Sequence, residues 1–360
     1  MIRQKTDKAI NRALARIKRT GGTVYLKAGS YEIAQAVVMN TPSSKLLGEV
    51  WAYNLDPNGV FETPFGTKLR LKGRDFPAIS IGAEGIPAGV MVREIGIQGD
   101  IRGMDTRPLL QMNKPSASAG LYFGSERVDQ GEFSKISCCG LAVAVCADGN
   151  AEIDACCFEK INMDGCCIGV YFAPRAAYYA HFRQCIVADT PSFGFFFDGS
   201  GRRISNVDIT DTHFVRNCGS SPVSSEEPAA VYLKNISNCF FRDNLVDAPG
   251  VFWFFDENAT SNKELQPSSV AAIGLKVVGN QNRITGNTFL RSSRESILVR
   301  GDRNVLMSNI ADGNVVIEGE GNTVSGLVFT SPTARLILKG AAKDTTLVLG
   351  VEEARIVKAD

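Results

Sequence analysis

Val231-Tyr232-Leu233-Lys234, Trp253-Phe254-Phe255-Asp256, Leu275-Lys276-Val277-Val278 and Ile297-Leu298-Val299-Arg300 decide the reading of this chain. In each block apolar and variable positions alternate with period two, as in a strand with one buried face. The steps Lys234 to Asp256, Asp256 to Val278 and Val278 to Arg300 are 22 residues each. A fixed period near 20 predicts a solenoid, whose coils bury their apolar faces only against one another. Outward from these blocks the pattern continues at Val170-Tyr171-Phe172-Ala173 and Phe195-Phe196-Phe197-Asp198 on one side. On the other it continues at Val315-Val316-Ile317-Glu318 and Leu336-Ile337-Leu338-Lys339. The predicted fold is all-β: a single-stranded right-handed parallel β-helix over residues 23–355, with residues 1–22 as an N-terminal capping helix.

A second strand is predicted in each coil, as at Val207 to Val215, Cys239 to Val246 and Arg283 to Phe289. Asn244, Asn287 and Asn309 recur at one place in it, with Cys185 and Thr212 in that place in earlier coils. Side-chain amides stacked from coil to coil would satisfy the backbone of a turn, so these residues predict an asparagine ladder.

Thr6 to Lys18 reads as an amphipathic helix with Ile10, Leu14 and Ile17 on one face. Thr6 is the expected N-cap, and Gly21-Gly22 ends the helix. Thr6-Asp7-Lys8-Ala9-Ile10, Gly21-Gly22-Thr23-Val24-Tyr25-Leu26 and Ala28-Gly29-Ser30-Tyr31 together resemble the opening of pectate-lyase-like parallel β-helix proteins. Lys27 stands where such openings usually carry proline. That superfamily includes tailspike depolymerases, polysaccharide hydrolases and lyases, and inulin fructotransferases. The resemblance implies the fold and a carbohydrate ligand; the reaction has to be argued from the site.

Composition narrows the partners. The formal net charge is +1, so no field favours nucleic acid or an anionic membrane. No apolar run is long enough for a membrane span. The basic start of the chain lacks the apolar core of a signal peptide. The ten cysteines fall as adjacent pairs and singles without metal spacing, which predicts reduced, buried thiols and a reducing compartment. A cytoplasmic protein, or one carried on a phage particle, is expected. No cofactor or metal is expected.

With the first and third residues of each block facing inward, the second and fourth form two outward columns. Tyr171, Phe196, Tyr232 and Phe254 make an aromatic row, expected either as the floor of a sugar groove or covered by a loop such as Gly219 to Pro228 or by a subunit of a homotrimer. Asp198, Lys234 and Asp256 make the second column. Carboxylates two coils apart stand about 9–10 Å apart, near the about 6.5–9.5 Å of inverting glycosidases. The expected catalytic pair is therefore Asp256 as acid and Asp198 as base, with Glu257 in reserve. The bland alternative is a surface charge ladder continued by Arg300, Glu318 and Lys339. Arg175, Tyr179 and His181 form a weaker group that would suit a lyase, pairing a base with a cation on the substrate carboxylate.

Three functions follow as expectations. The first is a glycoside hydrolase or fructosyl-transferring enzyme acting on an oligo- or polysaccharide by carboxylate acid/base catalysis. The second is a polysaccharide lyase. The third is a non-catalytic glycan-binding or virion β-helix protein. The chain lacks a Gly-His-Gly signature and an acidic calcium cluster, which lowers pectin as the substrate.

Overall fold

The computed structural model describes residues 5–53, 55, 65–82, 87–101, 117–124, 127–218, 226–253, 267–341, 346–347, 350, 352 and 355–359. They form two compact units, residues 1–186 and 187–360. Both are built almost wholly from parallel strands, with one helix, Asp7–Arg16.

That helix starts where its cap predicts. Thr6 is extended, and its hydroxyl accepts from the Ala9 amide at 3.3 Å, satisfying one of the free donors of the first turn. The helix is two residues shorter at its C-terminal end than expected. Ile17 is its C-cap, and Gly21, at φ 67, accepts the left-handed turn that follows. Ile10 and Leu14 are buried. Asn11 fixes the helix to the next strands: its Nδ2 donates to the Ala36 carbonyl, and its Oδ1 accepts from the Val38 amide, both at 2.9 Å.

In the first unit the strands Gly22–Leu26, Ser44–Gly48, Met91–Gln98, Glu132–Cys139, Cys157–Asp164 and His181–Arg183 stack in parallel. Their register lines up Val24, Leu46, Val92, Phe133, Phe158 and Phe182, one residue per coil, all facing inward and buried. The phenyl rings stack with centroids 5.0 Å apart for Phe133 and Phe158 and 4.5 Å for Phe158 and Phe182, the offset spacing aromatic pairs favour. A second face is made by Val37–Met39, Ile79–Ile81, Ala119–Phe123, Val143–Ala147 and Ile168–Phe172.

In the second unit the corresponding face is Phe195–Asp198, Ala229–Lys234, Ile273–Val278, Ile297–Arg300, Val315–Glu318, Leu336–Lys339 and Ile356–Ala359. Here the structure corrects the sequence reading. Ala229–Lys234 pairs directly with Ile273–Val278, so Tyr232 stands beside Lys276 and Lys234 beside Val278. Val251–Trp253 instead pairs antiparallel with Pro267–Ser269. The place expected for the Trp253 block in the sheet belongs to Leu275–Val278. Phe254, Asp256 and Glu257 lie outside the described residues. Lys234 and Val278 are 44 residues apart, two steps of 22, yet they are neighbours in the sheet. The ladder shows the same count: Asn244 and Asn287 are 43 residues apart but adjacent, whereas Asn287 and Asn309 are 22 apart.

The predicted second strands are each two short strands meeting at a corner, as at Asp208–Thr210 and His213–Val215. The residue before the corner is left-handed (Asp211, φ 49; Asp243, φ 56; Gly286, φ 69), and the next side chain turns into the coil. There Asn287 Oδ1 accepts from the Asn244 amide at 3.0 Å, and Asn309 Oδ1 accepts from the Asn287 amide at 3.1 Å. Thr212 heads this ladder, its amide donating to Asn244 Oδ1 at 2.9 Å. A second ladder, not read from the sequence, runs Asn282–Asn304–Asn322 and starts at the Cys239 amide. Cys156, Cys185 and Cys239 also follow left-handed residues, and their thiols reach backbone carbonyls two residues back at 3.4 to 3.5 Å. They stand where later coils carry asparagine. All ten cysteines are free, and only Cys157 is not fully buried.

Candidate active site

The residues expected to act together divide between the two units. Tyr171, Arg175, Tyr179 and His181 belong to residues 1–186, whereas Phe196, Asp198, Tyr232 and Lys234 belong to residues 187–360. In the first unit Tyr171 is half-buried. Arg175 donates to Glu152 Oε1 at 2.5 Å, Tyr179 is 57% exposed, and His181 is exposed in register with Cys157. An arginine already held by a carboxylate of its own chain is a poor cation for a substrate carboxylate.

In the second unit Phe196 and Tyr232 are in-register neighbours whose rings lie 5.4 Å apart. They are not an open floor: Phe196 is 8% and Tyr232 3% exposed. Phe193 stacks on Phe196 at 4.9 Å, and Lys276 Nζ lies 4.3 Å from the centre of the Tyr232 ring, a cation–π arrangement. Lys276 occupies the place in the aromatic row that the sequence reading gave to Phe254.

The charged column begins as expected and then departs. Lys234 Nζ lies 3.9 Å from Asp198 Oδ2, and Asp198 Oδ1 accepts from the Ser200 amide at 2.9 Å. The next neighbour of Lys234 in the sheet is Val278. The expected ladder resumes further along, with Arg300 Nε 2.8 Å and Lys339 Nζ 3.5 Å from Glu318.

The acidic partner that the sequence reading missed is Glu226. Its Oε1 accepts from Lys234 Nζ at 2.8 Å and its Oε2 from the Tyr232 hydroxyl at 3.3 Å. Glu227 accepts from Lys276 Nζ at 2.9 Å and lies 3.4 to 3.5 Å from Arg300 and Arg294. Two adjacent carboxylates entering the strand Ala229–Lys234 through Pro228 were the available signal. The alternation of the strand could not show where the residues before it would fold back.

This cluster is half-buried: the Asp198, Lys234 and Glu226 side chains are 18, 26 and 25% exposed. Burial, and then the charge of Glu226, push the Tyr232 hydroxyl well above its ordinary range. Tyr232 therefore stays protonated and can keep donating to Glu226. The hydrogen bond to Glu226 raises Lys234, and that from Lys276 holds Glu227 low. The arrangement gathers two carboxylates and one ammonium beside buried rings. Among the described residues no group of three or more His, Cys, Asp or Glu could hold a metal. No described helix is long and apolar enough to cross a membrane.

No family model matches the chain, and no curated protein matches it. Solved structures do. The DFA-IIIase of Arthrobacter chlorophenolicus A6 in complex with GF2 superposes with a TM-score of 0.70 at 12% identity, covering 99% of this chain and 93% of that one. Its C387A mutant in complex with DFA-III gives 0.68 at 12% identity, covering 99% and 95%. Geobacillus virus E2 ORF18 gives 0.52 at 14% identity, covering 95% of this chain and 58% of that one. The resemblance to parallel β-helix proteins read from the first 31 residues is thus matched at the level of fold.

Proposed function

We propose that this chain is a carbohydrate-active enzyme that cleaves or transfers a glycosidic bond in an oligosaccharide, with Asp198 and Glu226 as its carboxylate pair. The carrying observation is that both carboxylates reach one ammonium, Lys234, at 3.9 and 2.8 Å. Two carboxylates that share a lysine are near enough to flank one scissile bond, for which glycosidases use separations of about 5–9.5 Å. One would protonate the leaving oxygen while the other activates the acceptor hydroxyl or water. The fold likeness supports the same class, because the DFA-IIIase neighbours were solved with GF2 and DFA-III. A homotrimer and a cytoplasmic location remain part of this proposal.

A panel of neutral oligosaccharides and uronates, read by product mass and by the absorbance of unsaturated sugars, tests it. Hydrolysed or transferred products are expected from a neutral substrate. Unsaturated products would shift the reading to a lyase and to Arg175, Tyr179 and His181.

A second reading, a non-catalytic glycan-binding or virion module, draws on the likeness to Geobacillus virus E2 ORF18. It predicts binding without turnover across the whole panel.

A further inference from the structure

Residues 51–53, in the first unit, are seated against its strands by three hydrogen bonds. Trp51 Nε1 donates to Ser137 Oγ at 2.9 Å, and Ser137 Oγ donates to the Tyr53 carbonyl at 2.9 Å. Asn162 Nδ2 donates to the same carbonyl at 3.1 Å, and Ser137 and Asn162 are in-register neighbours on adjacent strands. Ala52 points the other way. It is fully buried and packs with Leu55 and Cys139. The fit is close: a Cβ on Gly66 would come within 2.6 Å of the Ala52 Cβ, and one on Gly96 within 3.0 Å. Glycine at these two positions is what lets the segment lie so near.

A segment pinned from beneath in this way holds its outward rings still. Trp51 and Tyr53 meet edge to face, with centroids 4.9 Å apart and planes at 87°. Tyr53 is 41% exposed, and Phe65, next to Gly66, is 76% exposed. We propose that Trp51, Tyr53 and Phe65 form a binding platform for a neutral sugar ring, distinct from the carboxylate cluster and sharing no residue with it.

Three observations favour a sugar over other occupants. Rigid aromatic side chains present a large contact area at low entropic cost, and they suit a ring with one apolar face and a hydroxylated rim. The exposed area amounts to roughly 300 Å², from side chains of about 150–250 Å² each, well short of the about 800 Å² per partner of a stable protein interface. Lys27 is paired with Glu49 and Lys135 with Glu94, so these charges beside the segment do not call for a charged ligand.

The test uses the whole chain, which has two tryptophans. In a Trp253→Phe background Trp51 is the sole tryptophan reporter. Maltohexaose, cellohexaose and an inulin-type fructohexaose are titrated separately, by fluorescence in that background and by calorimetry in the wild type. At least one should give a saturable signal. Tyr53→Ala and Phe65→Ser should each weaken the Trp51 fluorescence signal about tenfold. Tyr53→Ala retains the carbonyl that Ser137 and Asn162 bind. Should that variant nonetheless unfold, Phe65→Ser decides. Silence from all three sugars in both measurements overturns the proposal, as does wild-type affinity in the folded platform variants.

Discussion

Lys276 Nζ lies 2.9 Å from Glu227 Oε2, with the lysine side chain 4% exposed and the glutamate 38% exposed. The burial is one-sided, so the two partners should not be equivalent in stability. Removing the carboxylate leaves a desolvated ammonium over the Tyr232 ring, whereas removing the ammonium frees a carboxylate that water and two arginines can reach. Breaking a fully buried pair costs about 3–5 kcal/mol. Because Glu227 is partly solvated and screened, Glu227→Gln should cost about 2 kcal/mol. Lys276→Met, which takes the charge out with the side chain, should cost less. Urea midpoints at neutral pH measure both, and equal losses would show that burial of the lysine charge is not the governing term.

The same cluster sets two limits in pH. Glu227 is held below its ordinary range, first by the hydrogen bond from Lys276. Its contribution is complete above the unfolded value of about 4.3 and is lost as pH falls through the lower native value. Lys234 is raised, first by its hydrogen bond to Glu226. That contribution is complete below about 10.4 and is lost as pH rises through the higher native value. Glu227→Gln should therefore flatten the acid limb of the stability profile, and Lys234→Met the alkaline limb. Denaturation midpoints across both limbs check this, and an acid limb unchanged in Glu227→Gln would assign it to other carboxylates.

Asn287 sits at the centre of its ladder and is fully buried. Its Nδ2 donates to the Phe241 carbonyl at 2.9 Å and to Asn309 Oδ1 at 3.0 Å, while its Oδ1 accepts from the Asn244 amide at 3.0 Å. Replacement by leucine strands a buried amide and a buried carbonyl at about 1–3 kcal/mol each. Asn287→Leu should lose about 3 kcal/mol or more in chemical unfolding. Thr212→Val, at the head of the ladder, leaves the Thr212 amide bonded to Asn244 and should lose about 1 kcal/mol.

The cysteines should be present as ten thiols and slow to react in the native state. Burial pushes Cys156, Cys218 and Cys239 up to about 12, leaving almost no thiolate near neutrality. Titration of the native protein with a thiol reagent should find Cys157, the half-buried one, reacting first. All ten should react once the chain is unfolded without reductant, and recovery of far fewer would mean disulfides.

The solenoid was legible because its signals are local and repeated: Thr6 as a cap, period-two blocks, and asparagine at fixed spacing. What failed was the count of coils. The Trp253 block alternates like its neighbours, and alternation alone cannot tell whether a block takes a place in the sheet. Register, which decides what stands beside Lys234, depends on pairing 43 residues along the ladder. Asp198 and Lys234, 36 residues apart, were placed together correctly because each closes a readable four-residue block and no further block lies between them. Glu226 was out of reach for another reason. It belongs to the segment Gly219 to Pro228, which was expected over the aromatic row, but no period shows which of its side chains meets Lys234.

The proposed chemistry makes the sharpest prediction. Once a substrate is in hand, Asp198→Asn and Glu226→Gln should each lower kcat by about 10²–10⁴-fold while the far-ultraviolet spectrum stays unchanged. Both substitutions keep shape and remove the titrating group. Tyr232→Phe should have a smaller effect, on kcat more than on KM, because it frees one oxygen of Glu226 and leaves the other on Lys234. Asp256→Asn separates this pairing from the one expected from sequence. If Asp198 acts with Glu226, Asp256→Asn should retain most of the wild-type rate. If Asp256→Asn and Asp198→Asn are both inactive and Glu226→Gln is not, the second carboxylate is Asp256, and Glu226 serves only to hold Lys234 and Tyr232 in place.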